Sequence, residues 1–224
     1  MHNFIISLIF FIVYLKPNPK VIMNIVLENK GIQTDYFYVP SFVLGEGELA
    51  VLYLFGGGYF YETEMFLKDI FCGAAKHENV IIYKKMTFVE HFKESRFRSI
   101  FYPITVGEYL RKSANCNDSF SKKIYEIKWI NSKTKVNALP GTPRKLLCLY
   151  AALSKAKDVV FDLVGVDPAG AEFIFTIIKD ALKDGGSAIL LDNFDDMKEH
   201  ASKYIELEWN KDMLPPTKEF KINL

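Results

Sequence analysis

From residue 24 the chain alternates short, fully apolar runs with longer amphipathic ones. NIVLEN reads as a strand, and a second strand lies near Phe37–Val43. After the acidic turn GEGE, the unbroken run LAVLYLF reads as a strand buried on both faces. The pattern then predicts a helix from about Glu62 to Ala75, a strand at Val80–Tyr83 and an irregular, aromatic-rich middle over 86–138. A helix from Pro143 to about Lys155 leads to the strand DVVFDLV, the turn GVDPAG and a helix at Ala171–Lys183. The break DGG, the strand SAILL, a last helix at Asp195–Lys203 and the segment YIELEW complete the order. Strands alternating with helices of this length predict the α/β class, with a mostly parallel sheet covered on both faces.

One run does not fit this alternation. Phe4–Leu15 (FIISLIFFIVYL) is apolar over twelve residues, short of the roughly 20 that span a bilayer. It lacks a basic residue before it and a small-residue cleavage site after it, so residues 1–22 are expected to be an upstream extension, with a short membrane-touching anchor as the competing view. The domain proper is expected over 23–215, with a polar tail at 216–224. Lys and Arg (28) nearly balance Asp and Glu (27), so no global field steers the protein toward nucleic acid or acidic lipid, and no nucleic-acid partner is expected. Cys72, Cys116 and Cys148 form no CxxC pair, which fits a reducing, cytoplasmic setting.

Candidate chemistry begins at VLYLFGGGYFYET, where an apolar strand runs through Gly56, Gly57 and Gly58 into a helix carrying Thr63. Bare backbone at such a turn is what phosphate groups bind, although three glycines also suit a tight turn requiring positive φ. In the second half, LPGTP opens a helix, a buried strand ends at Asp162, an Asp167-Pro168 turn precedes another helix, and Asp192 and Asn193 close the next strand. Together with LENKGI and FYPITVGEYL, this serial order resembles the ATP-binding cassette (ABC) ATPase domain over roughly residues 23–209.

The resemblance implies a P-loop NTPase-like, mostly parallel sheet with antiparallel strands at the N-terminus and a reduced helical subdomain inserted at about 88–140. It implies ATP and magnesium as cofactors, held by Gly56, Gly57, Gly58, Thr63, Asp162 and Asn193, with Asp162 as the magnesium residue. The glycine loop would lie beside the strand carrying Asp162. Leu139, Gly141 and Asp167 would face a second cassette, a permease subunit would be the other partner, and the protein would sit at the inner face of the membrane. Asp162 and Asp167 could equally be turn and N-cap residues.

The catalytic residues that the resemblance calls for are absent. A working phosphate loop has a lysine after its last glycine; counted from Gly56 that place is Glu62, and counted from Glu48 it is Phe60. Leu163 stands where the proton acceptor belongs, Asn193 where the switch histidine belongs, and no glutamine occurs at 86–102. No catalytic residue is assigned, and the expected role is a subunit weak or defective in ATP hydrolysis.

Two other readings remain open. VLYLFGGGYF with IIKDALKDGGSAILL mimics an S-adenosylmethionine-dependent Rossmann-type methyltransferase, although VIIYKK ends in Lys84 and Lys85 rather than an acid. A nucleotide-free interaction module is the third. Residues 111–145 carry nine Lys or Arg against Asp118 and Glu126, and 88–103 interleaves aromatic with basic residues. The first reads as a solvated or phosphate-facing surface, the second as a partner-docking one.

Overall fold

A computed structural model describes residues 24–55, 59–195 and 197–210 of the 224-residue chain. The apolar extension at 1–22, the glycines at 56–58 and the tail at 216–224 lie outside the described residues.

Three sheets organise the chain. β1 (Ile25–Asn29) pairs antiparallel with β4 (Phe42–Gly45) on one side and β6 (Val80–Ile82) on the other. β3 (Phe37–Val39) pairs antiparallel with β2 (Ile32–Gln33) and with β11 (Glu208–Trp209). The central sheet runs β10 (Lys203–Glu206), β5 (Leu49–Tyr53), β9 (Ser187–Asp192), β8 (Asp158–Phe161), β7 (Thr87–Phe88), all parallel.

The apolar strands read as doubly buried because they supply two cores at once. Leu49 and Val51 point into one hydrophobic cluster, Ala50, Leu52 and Leu54 into the other; Ala188 and Leu190 alternate in the same way with Ile189 and Leu191. α1 (Phe60–Phe71) covers one face with Leu67, Ile70 and Phe71, each burial contributing about 1.5–3 kcal/mol. The other face is covered by α4 (Gly141–Leu153) and α5 (Pro168–Lys183). Between β7 and α4 lie two short helices, α2 (Arg96–Phe101) and α3 (Val106–Ser113), the latter opened by a Thr105/Glu108 capping box.

Two expectations need correction. The strand near Phe37–Val43 is two strands divided at Pro40, which has no N–H for a ladder and whose carbonyl accepts from Asn29 Nδ2 at 2.9 Å. In place of a helix at Asp195–Lys203 the described residues hold a 3-10 turn at Lys198–His200. Lys203–Glu206 joins the edge of β5, where Ser202 N–H donates to the Leu49 carbonyl at 2.8 Å. The open edge of β5 outweighs local helix propensity there. β6 leaves the central sheet altogether. Within the central sheet one strand separates β5 from β8. β9, buried at all six positions, takes the centre between them, the place most protected from water.

One close approach fixes how α4 enters. A Cβ built on Gly141 would stand 1.8 Å from the carbonyl oxygen of Gly165, so the helix start and the loop after β8 touch backbone to backbone. Gly141→Ala is expected to destabilise the fold by about 1–3 kcal/mol through forced backbone movement, read as a lower midpoint in urea unfolding.

Candidate functional site

The C-terminal ends of β5, β8 and β9 open on one cavity of about 1020 Å³. Ligand sites in open α/β sheets lie at this edge, outside the strand ends. Its chemistry starts with Asp162, the first residue past β8, whose side chain is 1% exposed. Oδ1 accepts from Val164 N–H at 2.8 Å and from Lys145 Nζ at 2.9 Å, and Oδ2 lies 2.9 Å from Nε2 of His91.

Lys145 comes from the first turns of α4 and is 4% exposed, while His91 follows β7, where Val89 N–H extends the ladder onto the Val160 carbonyl. Burial alone would push the Asp162 carboxyl up; His91 and Lys145 outweigh it and hold the group below its ordinary range.

Glu64 faces the same carboxylate from α1. The buried residues of that helix are Thr63, Glu64, Leu67, Ile70 and Phe71, so Glu64 sits within the apolar stripe and is 2% exposed. Burial, then the charge of Asp162, pushes its pKa up to about 7, and Oε1 has no hydrogen-bond partner. Asp192 and Asn193 close the rim, with Asp192 Oδ1 accepting from Asn193 N–H at 2.8 Å.

The residues singled out by sequence therefore separate into groups. Asp162 and Asn193 line the cavity. Thr63 is fully buried, its Oγ1 without a hydrogen-bond partner, and does not line it. Gly56, Gly57 and Gly58 lie outside the described residues. Leu139 is a core residue, whereas Gly141 and Asp167 are at the surface. Asp167 caps α5, accepting from Gly170 N–H at 2.9 Å ahead of Pro168, and receives a short hydrogen bond from Thr142 that ties α5 to the start of α4.

Magnesium does not fit this arrangement. Oδ1 of Asp162 is taken up by the Val164 N–H and by a buried ammonium that a divalent ion would have to displace into the core, and Nε2 of His91 stands 2.9 Å from Oδ2. Among the described residues no group of three His, Cys, Asp or Glu could hold a metal ion. Leu163 lines the cavity where a proton acceptor is needed.

Sequence reasoning missed Lys145, His91 and Glu64. It counted Lys145 within a basic surface, yet Cys148, Leu149 and Ala151 place that helix face inward. A lone lysine on a buried face requires an acid, and Asp162 ends the next strand. His91 carried no local signal.

No protein-family model matches the sequence, and neither does any curated protein. Solved structures do. A chain of an inward-facing transporter described as metal-chelate type ABC aligns at TM-score 0.61 and 16% identity over 84% of this chain and 83% of that one. A nucleotide-free ATP-binding cassette from an ABC transporter aligns at 0.57 and 16%, over 82% and 88%. The chain has the ATP-binding cassette fold. That cassette fold also occurs outside transporters. A chain in the complex of archaeal ribosomal stalk protein aP1 with ribosome recycling factor aABCE1 aligns at 0.58 and 16% identity, covering 86% of this chain and 41% of that one. The methyltransferase alternative loses its support, because β6, the strand that should carry the ribose-binding acid beside β5, pairs antiparallel with β1.

Lys145→Met leaves a buried carboxylate short of its cation and is expected to cost about 3–5 kcal/mol in urea unfolding. Lys145→Met with Asp162→Asn, which keeps the acceptor for Val164 N–H, is expected to recover much of that loss.

Glu64 gives a pH signature. Its folded pKa lies above the unfolded value, so the native state binds the extra proton, and stability falls as pH rises from about 4.5 to about 7. The loss is on the order of 3 kcal/mol. The melting temperature of Glu64→Gln, measured against the parent, is expected to improve between pH 5 and pH 8.

Proposed function

We propose that this chain is an ABC-type subunit that works beside a permease and a second cassette at the inner face of the membrane, with its own site disabled for ATP hydrolysis. The observation that carries the reading is the Asp162 cluster. In this fold the carboxylate at the end of that strand is the residue expected to serve magnesium, and here Lys145 and His91 hold it. With Leu163 as the next residue, the position that follows Asp162 offers water no base. Pairing with an intact cassette would leave the assembly one working site, so the chain would serve as its structural or regulatory half, with Leu139, Gly141 and Asp167 near the partner.

A docking surface supports the permease side. On and after α2, Phe97, Ile100, Phe101 and Tyr102 are 67, 66, 61 and 73% exposed, and the Phe97 and Phe101 rings lie 4.9 Å apart. An apolar ridge of this kind marks a protein-interaction site. The ridge falls within the segment that, by resemblance, meets the coupling helices of the membrane domain. Among the described residues no helix is long and apolar enough to cross a membrane.

A nucleotide-free interaction module is the second reading, favoured by the acidic lining of the cavity. It differs in needing no transporter, as the recycling-factor similarity illustrates for the fold.

In a phosphate-release assay with ATP and magnesium, the purified chain and its Asp162→Asn variant are both expected to stay at background. Turnover by the parent that Asp162→Asn abolishes would refute the disabled site. Phe97→Asp with Phe101→Asp is expected to leave folding intact and abolish co-purification with the permease subunit proposed here as its partner.

A further inference from the structure

The cavity at the strand ends has a chemistry that a nucleotide does not explain. Four aromatic rings line it: Tyr53, Phe55, Phe60 and Phe194, the last three 64, 42 and 69% exposed. Besides Asp162, which Lys145 holds, three carboxyl groups join them. Asp192 and Asp195 come from the end of β9 and the loop after it, and Glu64 comes independently from α1, 2% exposed with its Oε1 unpartnered. Among the described lining residues there is no Lys, Arg or His, since the Lys145 ammonium is spent on Asp162.

Each class of occupant can be weighed against that lining. A triphosphate would bring several negative charges against carboxylates in a cavity whose described lining holds no Lys, Arg or His, a repulsion of a few kcal/mol per close pair. A bare metal ion would leave most of 1020 Å³ and all four rings unused. An organic cation uses every feature. Its charge meets the carboxylates, its apolar body fills a volume suited to a drug-sized molecule, and aromatic faces attract a weakly hydrated ammonium.

We propose that this cavity binds an organic ammonium ion, quaternary or alkylated, seated between the aromatic rings of Phe55, Phe60 and Phe194 and the carboxyl groups of Glu64 and Asp192. The site stands on this lining alone and does not rest on the transporter reading. An absence of ATP turnover depends on Leu163 and the Asp162 ion pair, so either proposal can fail without the other.

The test is isothermal titration calorimetry on the full chain with three probes: benzyltrimethylammonium, tetraethylammonium and ATP with magnesium. At least one ammonium probe is expected to bind saturably. The uncharged analogue of benzyltrimethylammonium, in which carbon replaces nitrogen, should bind about tenfold more weakly or worse. Phe55→Ala with Phe194→Ala, two exposed positions that leave the core intact, should weaken the ammonium by about tenfold, and Glu64→Gln by severalfold. Circular dichroism confirms that each variant is folded. Absence of ammonium binding, equal binding of the charged and uncharged analogues, or ammonium binding insensitive to both sets of substitutions would each overturn the proposal. So would ATP with magnesium binding that the ammonium probes do not displace and that Phe55→Ala with Phe194→Ala weakens.

Discussion

The contact on which the site depends is a buried carboxylate that cannot be left alone. Asp162 is nearly without solvent exposure, and the unpaired charge would cost several kcal/mol. Three elements answer that demand: the loop after β8 through Val164 N–H, α4 through Lys145, and the segment after β7 through His91. Glu64 answers with a raised pKa, because burial and then the charge of Asp162 both disfavour its ionised form. Each response fixes the position of an element, so the electrostatics of one residue and the packing of the sheet end are a single problem.

The architecture places that residue by simple means. A strand buried on both faces must sit mid-sheet, and β9 does, which opens β5, β9 and β8 side by side onto one space. Alternation along β5, β8 and β9 divides their side chains between two cores, one under α1 and one under α4 and α5. α1 and α4 reach the same end of the sheet and supply Glu64 and Lys145 to it. The cassette layout is thereby retained, and Lys145, His91 and Glu64 gather around one buried carboxylate at its centre.

Much of the fold was legible because apolar runs and amphipathic stretches differ in period, and strands such as LAVLYLF and SAILL allow little else. What was not legible involved competition between distant parts. The residues after Asp195 favour a helix locally, yet the unpaired edge of β5 draws Lys203–Glu206 into the sheet. At the site, Asp162 and Asn193 stood out because strand ends are where open α/β sheets do chemistry. Lys145 and Glu64 did not, since each looks like an ordinary surface charge until the burial of its helix face is known. The hint was present as a charge inside an apolar stripe, but naming its partner needed three dimensions.

The backbone contact between Gly141 and Gly165 has a consequence for reversibility. Because the start of α4 presses against the carbonyl of the loop that follows Asp162, the helix cannot slide away and take Lys145 with it unless that loop moves too. The lysine is therefore a permanent tenant of the carboxylate and no gate. Freeing Asp162 for any other ligand would mean replacing the cation and rebuilding its surroundings together, a path with no comfortable halfway point.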